Sequence, residues 1–274
     1  DNVDKVAEMK ANYKKMKLDC LVTLGGNGTH KTANLLSEEG LNVIGLPKTI
    51  DNDIWGTEVT FGFHTAVDIA TDVIDRIHTT ATSHGRVMVI EIMGNKAGWL
   101  TLYSGVAGGA DVVLLPEIPY DIDNVVRAVN ARAKRNKSFS IIAVAEGAMD
   151  KKEAGMKRKE RTAARAEEGF TTISARIARQ IEQKTGIETR AVVPGHIQRG
   201  GSPSAYDRVL ATRFGVHAAE LIRDGVYGVS VALKGDEVIH NPLSEVAGIT
   251  KFVPPEHQMV RIARNIGIRF GDEK

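Results

Sequence analysis

Gly45-Leu46-Pro47-Lys48-Thr49-Ile50-Asp51-Asn52-Asp53 is the stretch on which the reading of this chain turns. The apolar run 41–46 reads as a buried strand, Pro47 stops it, and a polar loop carrying two carboxylates follows. In an open α/β sheet, loops at the carboxyl ends of strands line the ligand crevice. Asp51 and Asp53 are therefore placed to divide the work, one accepting a proton and the other holding or orienting a metal. The alternative is an Asx-rich turn whose side chains bond their own backbone.

Outward from that loop, strand-like and helix-like segments alternate. Residues 3–16 have the pattern of an amphipathic, Lys-rich helix, 19–24 of a short strand and 30–39 of a helix. Further on, the pattern predicts strands over 87–92, 112–115, 140–145, 188–193 and 229–233. Helices are predicted over 63–82, 97–107, 122–135, 170–184, 206–224 and 255–267. Such alternation argues for parallel sheets with helices on both faces. Residues 151–168 break the rhythm with many Lys, Arg and Glu, and are expected to be a solvated helix or mobile surface segment. Because α/β domains usually begin with a strand, the helical start implies a segment upstream of Asp1.

Composition narrows the class of function. With 42% apolar and 26% charged residues, 274 residues suit a soluble globular protein of one large or two modest domains. A net charge of +2 is too small to argue for nucleic acid, so anionic metabolites fit better than polymers. Cys20 is the only cysteine, which excludes an intrachain disulfide and suits a buried structural thiol in a reducing cytoplasm. Neither a signal-peptide pattern nor an apolar run of bilayer-spanning length is found, so no membrane partner is expected.

Three further clusters carry chemistry. Gly25-Gly26-Asn27-Gly28-Thr29 lies between a predicted strand and helix, where backbone N–H groups and a helix N-terminus can hold phosphate. The pattern is neither a Walker A loop nor the dinucleotide fingerprint. Arg190, His196, Gln198 and Arg199 surround Gly200-Gly201, and Arg86 precedes a strand; such groups grip a phosphate ester through charge-assisted bonds. Glu146 follows a strand, as Asp51 and Met93 do, and is suited either to accepting a bond from a sugar hydroxyl or to capping a helix.

Taken together, GGNGT at 25–29, PKTIDND at 47–53, MGN at 93–95, the strand ending in Glu146 and GHIQRGGSP at 195–203 closely resemble the phosphofructokinase family. The match runs in order over nearly the whole chain. PKTIDND and GHIQRGG are specific, whereas a loop like GGNGT also occurs in NAD kinases and diacylglycerol kinases.

The resemblance implies transfer of a phosphoryl group to the 1-hydroxyl of fructose 6-phosphate, a step of glycolysis. It makes Asp51 the general base, has Asp53 help place Mg2+, and sets Thr49 against the transferring phosphoryl group. Gly25, Gly26, Asn27, Gly28, Thr29 and Lys48 fall on the donor side. Met93, Gly94 and Glu146 would hold the sugar, His196 and Arg199 its 6-phosphate, with Ile50, Asn95 and Gln198 in the same substrate motifs. Arg86 and Arg190 match residues that serve a neighbouring subunit's site, so a homo-oligomer, a tetramer, is implied.

Some positions depart from the family pattern. Asn27 stands where a metal-binding Asp is usual, Asn95 where an Arg is common, and the family's first strand and nucleotide loop would precede Asp1. Gly28 favours ATP, because pyrophosphate users carry there an Asp that blocks the nucleotide; Lys48 is commoner among pyrophosphate users. Asp111, Arg135 and Lys137 match a nucleotide or phosphoenolpyruvate effector site, with His78 in place of an Arg.

The architecture expected is α/β, two Rossmann-like three-layer lobes with mostly parallel sheets and the active site in the cleft between them. The donor lobe would take residues 1–62 and 198–250, and the sugar-phosphate lobe 63–197 and 251–274. The alternatives are a pyrophosphate-dependent enzyme and a non-catalytic sugar-phosphate-binding paralogue, the latter suggested by Asn27 and Asn95.

Overall fold

The computed structural model describes residues 5–273; the first two residues of the helix expected over 3–16 lie outside them. In chain order the elements are α1 (Lys5–Lys15), β1 (Leu21–Gly25), α2 (Asn27–Glu38), β2 (Val43–Pro47), α3 (Phe63–His84), β3 (Val87–Ile92), α4 (Trp99–Ala107), β4 (Val112–Leu114), α5 (Ile122–Lys134) and β5 (Ser140–Ala145). There follow α6 (Arg158–Glu167), α7 (Ile173–Thr185), β6 (Thr189–Val192), α8 (Ala205–Arg223), β7 (Val229–Lys234), β8 (Glu237–Pro242), α9 (Leu243–Val246) and α10 (Gln258–Asn265). The chain packs as two compact units, Asp1–His64 with Pro203–Lys251, and Thr65–Ser202 with Phe252–Lys274.

The first unit holds a sheet of order β1-β2-β7-β8. β1, β2 and β7 run parallel, and β8 is antiparallel to β7. β2 is buried along its length, as a strand covered on both faces must be, and its Ile44 and Leu46 pack with Leu210 and Phe214 of α8. Pro47 does not stop this strand but ends it as a paired residue opposite Gly25. β8 escapes the sequence pattern because it is an edge strand of half-exposed, mixed residues. Its one local signal is the Gly235-Asp236 hairpin turn, with Gly235 at φ 58°.

The second unit holds an all-parallel sheet of order β4-β5-β3-β6. β5 is fully buried, and Val87, Val89, Ile142 and Val144 join Val125, Ile177 and Ile181 of α5 and α7 in one core. Register positions the site: β3 and β5 pair through Ile92 and Ala145, so the residues that follow each strand emerge side by side. β6 lies on the other flank of β3, so the chain beyond Val192 leaves at the same sheet end.

Residues 151–168 include a mostly exposed helix, α6, as expected of a solvated segment, pinned at one buried point. A short 3-10 turn, Glu153–Gly155, precedes α6, and Glu153 is only 3% exposed. The segment is held by ion pairs rather than apolar burial, a signal that counts of hydrophobic residues do not register. Cys20 is half-buried beside the first unit's core. Among the described residues no helix is long and apolar enough to cross a membrane.

Candidate active site

In the first unit, two neighbouring strand ends build a phosphate-suited corner. Gly25 of β1 pairs with Pro47 of β2, so Gly26 and Thr49 come together, and a Cβ added at Gly26 would lie 3.6 Å from that of Thr49. α2 starts at Asn27, three residues earlier than the pattern suggested, so Asn27, Gly28 and Thr29 form its first turn. Gly26 caps it without a side-chain bond, leaving the N-terminal N–H groups and the positive end of the helix dipole to a ligand. Gly25 is required by packing, since a Cβ there would meet Thr29 Oγ1 at 2.1 Å. A Cβ at Gly28 would meet nothing within 4 Å, so packing does not demand glycine there. Lys48 is exposed beside this corner, and its backbone N–H donates to Gly25 O at 3.1 Å.

The acidic loop is braced from within. Asn52 sits at φ 51°, is buried, and its Oδ1 accepts from the Thr60 backbone N–H and from Lys251 Nζ, each at 3.1 Å. Lys251 Nζ also donates to the carbonyls of Thr57 and Glu58, and its backbone N–H to Asp53 O. Burial lowers this ammonium to about 8 against the raising influence of Asp53 and Glu58. Thr49 Oγ1 accepts the Asp51 N–H at 3.2 Å, and Thr49 O accepts Thr60 Oγ1 at 2.7 Å. Asp51 and Ile50 are half-buried, while Asp53 is 3% exposed. Burial raises the Asp53 carboxyl, against the lowering bonds from Asn27 and the nearby Lys251 charge.

Asn27 meets Asp53 directly. Its Nδ2 donates to Asp53 Oδ2 at 2.8 Å and to Asp53 O at 3.2 Å, and its buried Oδ1 has no hydrogen-bond partner. One carboxylate beside an unsatisfied amide oxygen is a hard-oxygen donor set that fits Mg2+, which needs few protein ligands when phosphates and water complete its shell. No cluster of three or more His, Cys, Asp or Glu suited to a metal occurs among the described residues.

In the second unit, Met93, Gly94 and Asn95 leave β3 beside Glu146, which leaves β5. Glu146 Oε1 accepts the Asn95 N–H at 2.6 Å and the Gly94 N–H at 3.2 Å. Gly94 stands at φ 144° with a prospective Cβ 2.6 Å from Ala97 O, so the turn requires glycine. The 3-10 turn Gly195–Arg199 carries Gln198, which is buried. Gln198 Oε1 accepts the Met93 N–H at 3.1 Å and its Nε2 donates to Gly195 O, so this amide joins the basic turn to the β3 end. His196 and Arg199 are exposed, and neither makes a hydrogen bond or ion pair among the described residues.

Arg86 and Arg190 are brought together by Glu188, whose carboxylate pairs with Arg86 Nε at 2.9 Å and Arg190 Nη2 at 2.6 Å. The Arg86 bond, with the charge of both arginines, holds the Glu188 carboxyl below its usual range. Asp111 is engaged inside its own unit, by Arg132 at 2.6 Å and by the Ile141 N–H at 2.9 Å. His78 Nε2 lies 2.8 Å from Gly108 O. The residues that sequence reasoning missed are the braces, Asn52, Thr60, Lys251 and Glu188. Each acts through a partner far away in sequence or through a backbone group, so that even Asn52, inside PKTIDND, is not marked as a brace by its neighbours in sequence.

Comparison with known proteins gives the chain's relatives. The family model "Phosphofructokinase" matches residues 1–222. A curated "ATP-dependent 6-phosphofructokinase" of Spirochaeta thermophila is 59% identical over 98% of this chain and 73% of its own length. "ATP-dependent 6-phosphofructokinase 3" of Bacteroides thetaiotaomicron is 52% identical over 98% of this chain and 75% of its own. Among solved structures, phosphofructokinase from Saccharomyces cerevisiae superimposes with a TM-score of 0.76 at 27% identity, over 88% of this chain and 34% of that one. A pyrophosphate-dependent phosphofructokinase from Marinobacter aquaeolei does so at 0.77, with 22% identity over 96% of this chain and 71% of its own, a likeness of fold alone. With the family model covering most of the chain and relatives this similar along nearly all of it, the chain belongs to the phosphofructokinase family.

Proposed function

We propose that this chain is an ATP-dependent 6-phosphofructokinase, a phosphotransferase acting on the 1-hydroxyl of fructose 6-phosphate to give fructose 1,6-bisphosphate. The observation that carries the reading is the acidic loop at the end of β2, in which Asp51 is half-buried between Thr49 and Asp53, the two residues that meet Gly26 and Asn27 at the open N-terminus of α2. Phosphoryl transfer asks a protein for positioning and charge more than for covalent chemistry, and this corner supplies both.

In this reading the α2 N-terminus at Gly26, Asn27, Gly28 and Thr29 receives donor phosphates, with Gly25 fixing the turn and Lys48 adding a cation. Asp51 takes the proton of the acceptor hydroxyl, and Thr49 contacts the group in flight. Asp53 and Asn27 are the residues that would hold Mg2+, which when bound offsets phosphate charge. Met93, Gly94 and Glu146 orient the sugar, and the exposed His196 and Arg199 take its 6-phosphate. Gln198 supports them by tying the turn to Met93, while Ile50 and Asn95 flank the same substrate. The Arg86 and Arg190 pair serves the neighbouring copy of a cytoplasmic homo-oligomer, a tetramer. The open position at Gly28 supports ATP, as do the names of the curated relatives.

Replacing Asp51 by Ser tests the base. Turnover should fall by about 10²-fold or more while fructose 6-phosphate binding is retained. Equal trace turnover in both proteins, with binding intact, would favour a sugar-phosphate-binding module instead.

A further inference from the structure

The segment 147–169 does more than cover the second unit. Glu146 and Gly147 occupy the corner of a tight turn closed by the Ala148 N–H on Ala145 O at 2.8 Å. That turn lies directly on the β3 end, because a Cβ at Gly147 would stand 2.4 Å from Asn95 O. The angle at which the Glu146 carboxylate meets Gly94 and Asn95, and any sugar, therefore depends on how the turn's exit is fixed.

Its exit is fixed by one arginine. Arg165 Nη2, from α6, donates to Ala148 O at 2.7 Å. The same guanidinium forks onto Glu153, Nε to Oε1 at 2.7 Å and Nη2 to Oε2 at 2.8 Å. Glu153 is in turn paired with Arg176 Nη1 at 3.0 Å, and Arg176 is tied to Asp150 and Glu168. Ala148 is fully buried, so its carbonyl loses a partner that water does not readily replace if Arg165 is removed. Gripping a carboxylate through two nitrogens of one rigid plane, with a donor left for a carbonyl, is a geometry of arginine that lysine lacks.

We infer that Arg165 is a positioning residue for sugar binding: anchored on Glu153, it fixes through Ala148 O the turn that presents Glu146. The inference rests on the reading of Glu146 as a sugar ligand. It assigns to an ion-paired, apolar-poor helix the tuning of affinity for the acceptor, leaving donor affinity and the chemical step alone.

Steady-state kinetics of Arg165→Met and Arg165→Lys test it. For Arg165→Met the KM for fructose 6-phosphate should rise roughly tenfold, with kcat and the KM for ATP changed by no more than about twofold. Arg165→Lys should fall between, since an ammonium keeps the charge but not the bidentate grip of a planar guanidinium on Glu153. A merely structural role would lower the active fraction, and so kcat, without moving either KM. Where Arg165→Met does not fold, Glu153→Gln, which keeps an acceptor oxygen for the fork, should shift the same KM in the same direction by less. An unmoved KM for fructose 6-phosphate, or both KM values rising together, would overturn the inference while leaving the proposed activity standing. No turnover of fructose 6-phosphate by the unsubstituted enzyme would overturn both.

Discussion

The acidic loop after β2 and the basic turn after β6 offer a comparison in how a protein prepares charge. Around Asp51 and Asp53 the backbone is pinned by Asn52, Thr60 and Lys251, and the Asp53 carboxylate is buried against Asn27. Around His196 and Arg199 only the neutral Gln198 is pinned, and the His196 and Arg199 side chains stand in solvent. A proton acceptor must hold its geometry before the substrate arrives, whereas a phosphate anchor contributes chiefly by forming charge-assisted bonds on arrival. One region spends its hydrogen bonds on itself and the other keeps them for a ligand.

The largest expected effect that tests this contrast is at the unbraced turn. Arg199→Ala should raise the KM for fructose 6-phosphate by roughly 10 to 100-fold, the loss of a charge-assisted bond, with the thermal midpoint unchanged. A substantial loss of stability would show that Arg199 is a structural brace after all, and the comparison would break.

Next is the braced loop. Asn52→Ala removes the acceptor shared by the Thr60 N–H and Lys251 Nζ and places alanine at a positive φ. Denaturant unfolding should show about 2 kcal/mol of lost stability, and kcat should fall while the sugar KM changes little. An intact kcat would mean that the loop holds its shape without this amide.

The smallest effect concerns bracing by charge. Burial works to raise the Glu153 carboxyl, but the Arg165 bonds and charge, with Asp150 N–H and Arg176, hold it below its usual value. A depressed carboxylate stabilises the fold fully above its unfolded value, about pH 4.5, and that contribution disappears as pH falls through the lower folded value. Glu153→Gln should therefore flatten the acid limb, shifting the midpoint of acid unfolding relative to the change seen at pH 7 by roughly half a pH unit. Parallel acid limbs in the two proteins would remove Glu153 from the account.

How much of this was legible in sequence follows from the forces involved. β3 and β5 were readable to the residue because a strand buried on both faces is nearly all apolar, β3 being broken only by Glu91 and β5 opening on Ser140. Asp51, Asp53 and Glu146 stood out because each follows such a run. β8 was missed because an edge strand need not be apolar, and the start of α2 was misplaced because Gly-rich residues occupy its first turn. The solvated character of 151–168 was legible, but its ion pairs through Glu153 were hidden because they use the residues that also keep a helix in water. Asn52 and Lys251 could not be paired from sequence, lying 199 residues apart.

The most direct measurement is the product itself: phosphorus NMR of the enzyme with fructose 6-phosphate and either ATP or pyrophosphate. A new ester at carbon 1, formed with ATP and accompanied by ADP, is the result expected. No new ester with either donor, or one formed with pyrophosphate alone, would contradict it.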